Sequence, residues 1–261
     1  MTTFPAFATS FYADQSVGVT DVATILTKLS AILPAQTPAW VESPAGTFKS
    51  PVDAVGRFFK IVVSRISATR LQWKVVDQNG VTVCDRAIDI DAGGTTINYW
   101  TGEAHAFIQS ERATPEPAWA GLIDETPYAQ NAVNVYVFGN AYRNSAGTQD
   151  GAFVTTGTSF MIDNGTAGNQ SRLRSWFAYG VASLTLVDGT GALDFFPHDM
   201  CVNLSGTYRF IGRAFQSWVC DSSIAVGTTK QVKIGSAGEL GTFRVVSLGA
   251  NTNMRTMVRV A

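Results

Sequence analysis

Two histidines and three cysteines are the residues of this 261-residue chain best suited to bind a transition metal. His198 and Cys201 stand three positions apart, and Cys220 follows nineteen residues later. With Cys84 or His105 added, these side chains can supply the four ligands of a structural zinc site. Zinc ligands usually come as two close pairs, however, and Cys220 has no second ligand near it. The spacing therefore favours small apolar cysteines over a zinc site.

The carboxylates suggest two further kinds of chemistry. Asp89 and Asp91 imitate the start of a calcium loop, but the twelfth position holds Trp100 where such a loop carries Glu. We interpret this segment as the end of a strand. The acids between Glu103 and Glu125 can include a glycosidase pair, because two carboxylates that flank a sugar are all that this chemistry requires. No spacing is diagnostic for such a pair, and acidic loops of a scaffold are the favoured interpretation.

Aromatic residues can form a platform on which sugars stack. Most of the candidates stand in apolar segments predicted as strands, where the core is their usual destination. The candidates are Trp100, Trp119, Trp176, Trp218, Tyr99, Tyr142 and Tyr179.

Other chemistries lack their motifs. The chain contains no G-x-S-x-G, no glycine-rich phosphate loop followed by a helix, and no dense basic stripe. We therefore predict a protein that is not an enzyme, with no catalytic residue, no cofactor, no metal and no specific nucleic acid.

The composition suggests subunit contacts. Charged residues make up only 15% of the chain, against roughly 25% in an ordinary soluble domain, while hydrophobic residues make up 46%. Residues 101–170 hold seven acids and two arginines, whereas residues 205–261 hold seven basic residues and two acids. These segments can meet head to tail between subunits. Scattered, solvated charges are the simpler interpretation.

The first residues show no signal-peptide pattern, and no stretch approaches the roughly 18 apolar residues of a membrane span. We therefore expect synthesis in the cytoplasm, reduced cysteines and no membrane partner.

One helix is predicted at residues 21–33. Its apolar side chains recur with helical spacing and form a single stripe, consisting of Val22, Ile25, Leu26, Leu29, Ile32 and Leu33. Thr20 can cap this helix, Asp21 suits the positive end of its dipole, and Pro34 ends it. The stripe must dock on the β body or on a neighbouring subunit. The proline-rich residues 34–46 are predicted to form an extended arm.

Beyond residue 55 the pattern is typical of strands, with Asn79-Gly80 as a strong hairpin signal. The strands are predicted at 57–67, 71–78, 81–90, 96–100, 104–109, 132–138, 153–162, 176–187, 200–204, 208–219, 230–234, 242–248 and 255–260. The fold class is mainly β, an antiparallel β-sandwich or barrel with an N-terminal helix and extended arm. We place an arm at 1–50, a hairpin subdomain at 51–126 and a β domain at 127–261, with the boundary in a proline-rich loop predicted at 111–128. Residues 51–261 can also be one domain.

Several of these features together resemble the virion structural proteins of tailed bacteriophages. They are the start Met-Thr-Thr-Phe-Pro-Ala-Phe, the helix with its arm, the Thr-rich β body, the loop 138–151 and the ending 253–261. The resemblance lies in the whole chain and includes no diagnostic motif, so it assigns no functional residue. It implies synthesis in the host cytoplasm and assembly into a virion, as part of a head, neck, tail or baseplate.

Two functions follow as hypotheses. In the first, the protein is a non-enzymatic structural component of a tailed-phage particle, and its partners are copies of itself and other virion proteins. The candidate assembly contacts are Val22, Ile25, Leu26, Leu29, Ile32, Leu33, Arg255 and Arg259. In the second, the protein is a carbohydrate-binding or glycan-hydrolysing β domain that uses its tryptophans and central acids.

Overall fold

A computed structural model gives the fold, which is mainly β, as predicted, with one helix in the described part of the chain. It describes residues 11–53, 56–80, 82–103, 105–112, 116–124, 135–139, 152–155, 158–160, 173–175, 196–204, 207–221, 224–225, 227–234, 239–246 and 254–260. The elements of the first half are β1 (Phe11–Val19), α1 (Val22–Ile32), β2 (Val41–Glu42), β3 (Thr47–Lys49), β4 (Phe59–Ser67), β5 (Arg70–Asp77), β6 (Thr82–Asp89), β7 (Thr95–Gly102), β8 (His105–Ser110) and β9 (Glu116–Asp124). Those of the second half are β10 (Val135–Gly139), β11 (Ala152–Thr155), β12 (Thr158–Phe160), β13 (Leu173–Ser175), β14 (Phe196–Leu204), β15 (Thr207–Asp221), β16 (Thr229–Ile234), β17 (Glu239–Val246) and β18 (Met254–Arg259).

Helix α1 lies within one residue of the prediction at each end. Its N-cap is Asp21 and not Thr20, because the Asp21 carboxylate accepts a hydrogen bond from the Ala23 amide at 2.8 Å. The Leu33 amide still bonds to the Leu29 carbonyl at 3.0 Å, and Pro34 follows. No helix in the described part of the chain is long and apolar enough to cross a membrane.

The apolar stripe of α1 docks on the chain's own β body. Five of its six side chains are buried in the main core, and Leu26 packs partly buried against them. A side chain such as Leu29, with 0% exposure, has no surface left for a neighbouring subunit. Packing within the chain therefore already covers most of the surface of these six candidate assembly contacts.

The segment predicted as an extended arm is also part of the folded body. Trp40 is 1% exposed, and its indole nitrogen donates to the carbonyl of Gly102 at 2.9 Å. Strands β2 and β3 then begin a five-stranded antiparallel sheet in the order β2-β3-β4-β5-β6. Residues 34–50 are thus held by burial of Trp40 and Phe48 and by strand pairing.

The hairpin predicted at Asn79-Gly80 joins β5 to β6. Gly80 has a φ of 83°, a left-handed conformation that glycine adopts without strain. Leu71, Trp73 and Val75 alternate along β5 and are all buried, whereas the side chains between them are half-buried. This confirms the prediction of one apolar and one wetter face.

The other strands form a larger antiparallel sheet with the order β1-β7-β8-β9-β15-β18-β17-β16 along its main path. Its two parts join through β9 and β15, which pair at Arg213 with Asp124 and at Ala214 with Ile123. Strands β10, β11 and β12 branch from β9, and β14 and β13 branch from β15. Neither sheet closes on itself among the strands described here.

Strand β9 occupies part of the segment 111–128, which the sequence predicts as a loop. It runs through Pro117, which pairs with Gln109 of β8. On its other side, the pairing with β10 stops at Ala118. Pro117 therefore lies where β9 has one described neighbour, the kind of edge position at which a strand tolerates proline. Through β10 and β15, β9 pairs with strands on the far side of residue 126.

In the second half, β10 and β14 to β18 lie close to their predicted positions. The strand predicted at 153–162 is two strands, β11 and β12, and the one predicted at 176–187 lies outside the described residues. The strand predicted at 255–260 is β18, which lies between β15 and β17 in the larger sheet. Both Met257 and Val258 are buried, so both faces of this strand are covered.

The buried side chains form two groups. The main core joins α1 to both sheets through residues such as Leu29, Trp73 and Ile108. The opposite face of β7 and β8 contributes Trp100 and Phe107, which are also buried but lie outside that cluster. This second face is the one that borders the site described next.

Candidate functional site

The two ends of the larger sheet border a common cleft of about 300 Å³. Strands β1, β7 and β8 line one side of it, and β16, β17 and β18 line the other. The lining residues are Ala13, Asp14, Gln15, Asn98, Tyr99, Trp100, Phe107, Thr229, Arg244, Val258 and Val260. The sheet thus curls until its first and last strands meet at one site.

A row of amide side chains crosses β1, β7 and β8, and two of its members, Gln15 and Asn98, line the cleft. Gln15 of β1 pairs with Asn98 of β7, which pairs with Gln109 of β8, so all three lie on the same face of the sheet. The Gln15 amide nitrogen donates to the Asn98 oxygen at 2.6 Å. Gln109 is 1% exposed, and its amide nitrogen has no hydrogen-bond partner among the described residues.

An ion pair closes this row against the second side. Glu111 Oε1 accepts from Asn98 Nδ2 at 2.6 Å and from Arg244 Nη2 at 2.7 Å. The backbone amide of Glu111 donates to the Thr96 carbonyl at 2.8 Å, which fixes the residue at the end of β8. Gln15, Asn98, Glu111 and Arg244 therefore form one hydrogen-bonded chain from β1 to β17.

On β1, Asp14 is held by three donors. They are the Lys28 ammonium of α1, the Tyr12 hydroxyl at 2.6 Å and the Gln15 amide at 2.7 Å. The hydrogen bond from Lys28, followed by the one from Tyr12, lowers the pKa of Asp14 to about 2. In return, the bond to Asp14 raises the pKa of Lys28. The Asp14 carboxylate is thus negatively charged at neutral pH, and the Lys28 ammonium balances its charge.

The base of this face is apolar and aromatic. The rings of Trp100 and His105 lie 3.9 Å apart between centroids, with an interplanar angle of 35°. His105 is completely buried, and this burial lowers its pKa to about 3. The imidazole is therefore neutral at physiological pH. Across the cleft, Val258 pairs with Arg244 on the adjacent strand, so both face the same side.

The candidate zinc ligands are spread over several strands. Cys84 is in β6, His198 and Cys201 are in β14, and Cys220 is in β15, where it pairs with Arg255 of β18. Cys201 pairs instead with Phe210. No three His, Cys, Asp or Glu side chains come together as a metal site in the part of the chain that is described.

The calcium-like segment is held by arginines. Asp89 ends β6, as predicted, and lies 3.6 Å from the Arg70 Nε. Asp91 accepts from the Arg112 Nε at 3.0 Å. Both carboxylates therefore have guanidinium partners.

The aromatic platform is divided among several places. Tyr99 and Trp100 are 2% exposed, so neither presents an open face to a sugar. Trp119 and Trp218 lie in β9 and β15, and the remaining candidates, Trp176, Tyr142 and Tyr179, lie outside the described residues.

The C-terminal arginines pair through their backbones within the sheet. Arg255 stands opposite Cys220, and Arg259 stands opposite Phe243. Their role in subunit contacts stays a prediction. Arg244, which the sequence reasoning did not single out, meets the acidic central segment through its ion pair with Glu111. Arg244 lies four residues after Leu240 in a segment with an ordinary strand pattern, so the sequence around it did not mark it as a site residue. The charge asymmetry between residues 101–170 and 205–261 was the feature of the sequence that indicated such a contact.

No known protein-family model matches this chain. A search of curated proteins likewise finds no significant relative.

Proposed function

We propose that this protein is a non-enzymatic structural component of a tailed-phage particle and acts through subunit contacts. Its place is in the tail, baseplate or neck, or in association with the capsid. Its partners are other copies of itself and other virion proteins, and its location is the virion. The resemblance of the whole chain to such proteins is the origin of this proposal.

The observation that carries the proposal is how the chain uses its carboxylates. Nine acidic side chains of the described residues accept a hydrogen bond or form an ion pair inside the scaffold. For example, Asp53 binds Arg57 at 2.6 Å, and Glu42 accepts from Ser30 at 2.9 Å. The nine are Asp14, Asp21, Glu42, Asp53, Asp77, Asp85, Asp89, Asp91 and Glu111. Groups that hold strands and turns together are typical of a structural role.

For the architecture we propose a β-sandwich rather than a barrel. The five-stranded sheet and strands β7 to β9 contribute to one buried cluster, with α1 at its side. Shared burial of the inner faces of two sheets is the packing found in sandwiches.

Because the helix stripe is buried, the subunit contacts must use other surfaces. The large apolar side chains most exposed in the described residues are Val17, Val41, Val52 and Ile66, of which Val17 is 79% exposed. Val17 lies in the irregular part of β1 between Ser16 and Val19. An exposed apolar side chain on an irregular edge is available to a neighbouring subunit.

Light scattering of the purified full chain over a range of concentrations tests this proposal. We expect a mass of two or more times the 27.9 kDa of a single chain. Val17→Asp and Ile66→Asp should lower the mass of the complex, whereas Thr82→Asp, at an exposed position of β6, should leave it unchanged. A monomer at all concentrations, or hydrolysis of a glycan panel by the purified chain, would overturn the proposal.

The alternative, a glycan-binding or glycan-hydrolysing domain built on the tryptophans and central acids, has less support. Trp100 is buried against His105, and Glu111 is engaged by Asn98 and Arg244.

A further inference from the structure

We infer that the cleft between β1, β7 and β17, β18 binds a neutral mono- or disaccharide. This activity goes beyond the proposed structural role. Tyr99 and Trp100 of the aromatic candidates also line this cleft, but they are 2% exposed, so the polar contacts come from Gln15, Asn98, Thr229 and Arg244.

The size and composition of the cleft fit a small ligand. Its volume of about 300 Å³ lies at the lower end of the range for small-molecule sites. Val260, which is partly exposed, gives the cleft apolar surface, and Gln15, Asn98 and Thr229 bring polar groups to the same space. A sugar ring has the matching character, with hydroxyls at its rim and C–H groups on its faces.

The charges of the cleft favour a ligand without net charge. Asp14 is compensated by Lys28, and Arg244 is compensated by Glu111. A charged ligand would have to compete with one of these ion pairs. A hydroxyl can instead accept from the guanidinium or donate to the carboxylate while both pairs stay intact.

The amide row gives the site a fixed geometry. Gln15 is held by Asn98, and Asn98 by Glu111, so two planar amides are oriented before any ligand arrives. Amide side chains both donate and accept, which suits the adjacent hydroxyls of a sugar. Preorganised polar groups of this kind lower the ordering cost of binding.

Saturation-transfer NMR on the full chain tests the inference. The probes are glucose, galactose, mannose, N-acetylglucosamine, maltose and cellobiose, with glucuronate and glucosamine as charged counterparts, each at millimolar concentration. Val260→Trp fills the cleft, and Val41→Trp, on exposed β2 of the other sheet, is its matched control. Thr229→Val removes one hydroxyl from an exposed position of β16, with Thr82→Val as control.

We expect saturation transfer to at least one neutral sugar and weaker transfer to its charged counterpart. V260W should abolish the signal and T229V should weaken it several-fold, while V41W and T82V retain it. If V260W does not fold, the comparison of T229V with T82V decides the outcome. Absence of transfer to every neutral sugar, or equal signals from T229V and T82V, would overturn the inference. Assembly mass is measured separately, so failure here is distinct from failure of the structural proposal.

Discussion

Arg244 of β17 and Glu111 at the end of β8 lie 133 positions apart in the chain, yet their side chains meet at 2.7 Å. They join the C-terminal strands to the face of β7 through Asn98. Among the described residues, backbone pairing links these two parts of the sheet at two positions of β9 and β15. The ion pair is therefore a second connection between the two sides of the cleft.

Replacing Arg244 with Ala should lower the free energy of unfolding by about 1–2 kcal/mol, because Glu111 loses a charged donor while both groups are only partly exposed. Urea denaturation of the full chain measures this. Arg70→Ala is the control, since its contact with Asp89 is longer and more exposed, and its cost should stay within about 0.5 kcal/mol. Equal costs for the two variants would contradict a bridging role for Arg244.

Asp14 should make stability depend on pH in the acid range. Its pKa of about 2 in the folded chain lies below the ordinary 3.8, so its contribution is complete above about pH 4 and is lost as the pH falls toward 2. Asp14→Asn should therefore be less stable than the wild type at pH 7, with a difference that shrinks between pH 4 and pH 2. Urea midpoints measured from pH 7 to pH 2 give this difference. A constant difference across that range would contradict the assignment.

His105 should make stability depend on pH in a higher pH range than Asp14 does. The folded chain holds its imidazole neutral down to about pH 3, whereas an unfolded histidine takes up a proton near pH 6.5. The unfolded state therefore binds more protons between these pH values. The free energy of unfolding decreases as the pH is lowered, by at most about 1.4 kcal/mol per pH unit. His105→Leu should flatten the stability profile between pH 6.5 and pH 4. The same steepness in this variant and the wild type would show that another group titrates there.

The elements that the sequence predicted well are those defined by local pattern. The hairpin at Asn79-Gly80 depends on a glycine at positive φ and on alternation in β5, both of which are visible in a few residues. Strand β1 was missed because Tyr12-Ala-Asp-Gln-Ser has no apolar alternation. Its conformation comes from pairing with β7, whose partner residues lie 76 to 91 positions away. Strand β9 was not predicted, because prolines at 115 and 117 are typical of loops. The proline at 117 fits in the strand because β9 has one described neighbour at that position.

The candidate site could not be predicted from the sequence, for a related physical reason. Gln15 and Asn98 are 83 positions apart, and neither residue type indicates a site alone. Their meeting requires the β1–β7 register, and the meeting with Arg244 requires the curl of the whole sheet. Sequence patterns report which face of a strand is apolar. They do not report which strands become neighbours.

Truncation of the helix stripe should destabilise the fold rather than an assembly. Leu29→Ala removes a fully buried side chain from the main core, and we expect a loss of about 2–5 kcal/mol in the free energy of unfolding. Thr24→Ala, on the exposed side of the same helix, should change it by about 0.5 kcal/mol or less. Denaturation together with light scattering separates the two roles. A stable L29A chain with reduced assembly mass would restore the stripe as a subunit contact.

Removal of the C-terminal strand should make the chain insoluble. Strand β18 lies between β15 and β17, so deleting residues 255–261 leaves the β16–β17 hairpin without its described backbone pairing to the rest of the sheet. The deletion also exposes backbone donors and acceptors along β15 and β17, which promotes pairing between chains. Val258→Asp, which places a carboxylate at a position only 1% exposed, should have the same effect in the intact chain. Deletion of Ala261 alone is the control and should leave solubility unchanged. The soluble fraction after expression, and amide exchange across β17 in any soluble material, measure the outcome; soluble, protected protein after loss of residues 255–261 would show that β18 is dispensable to the fold.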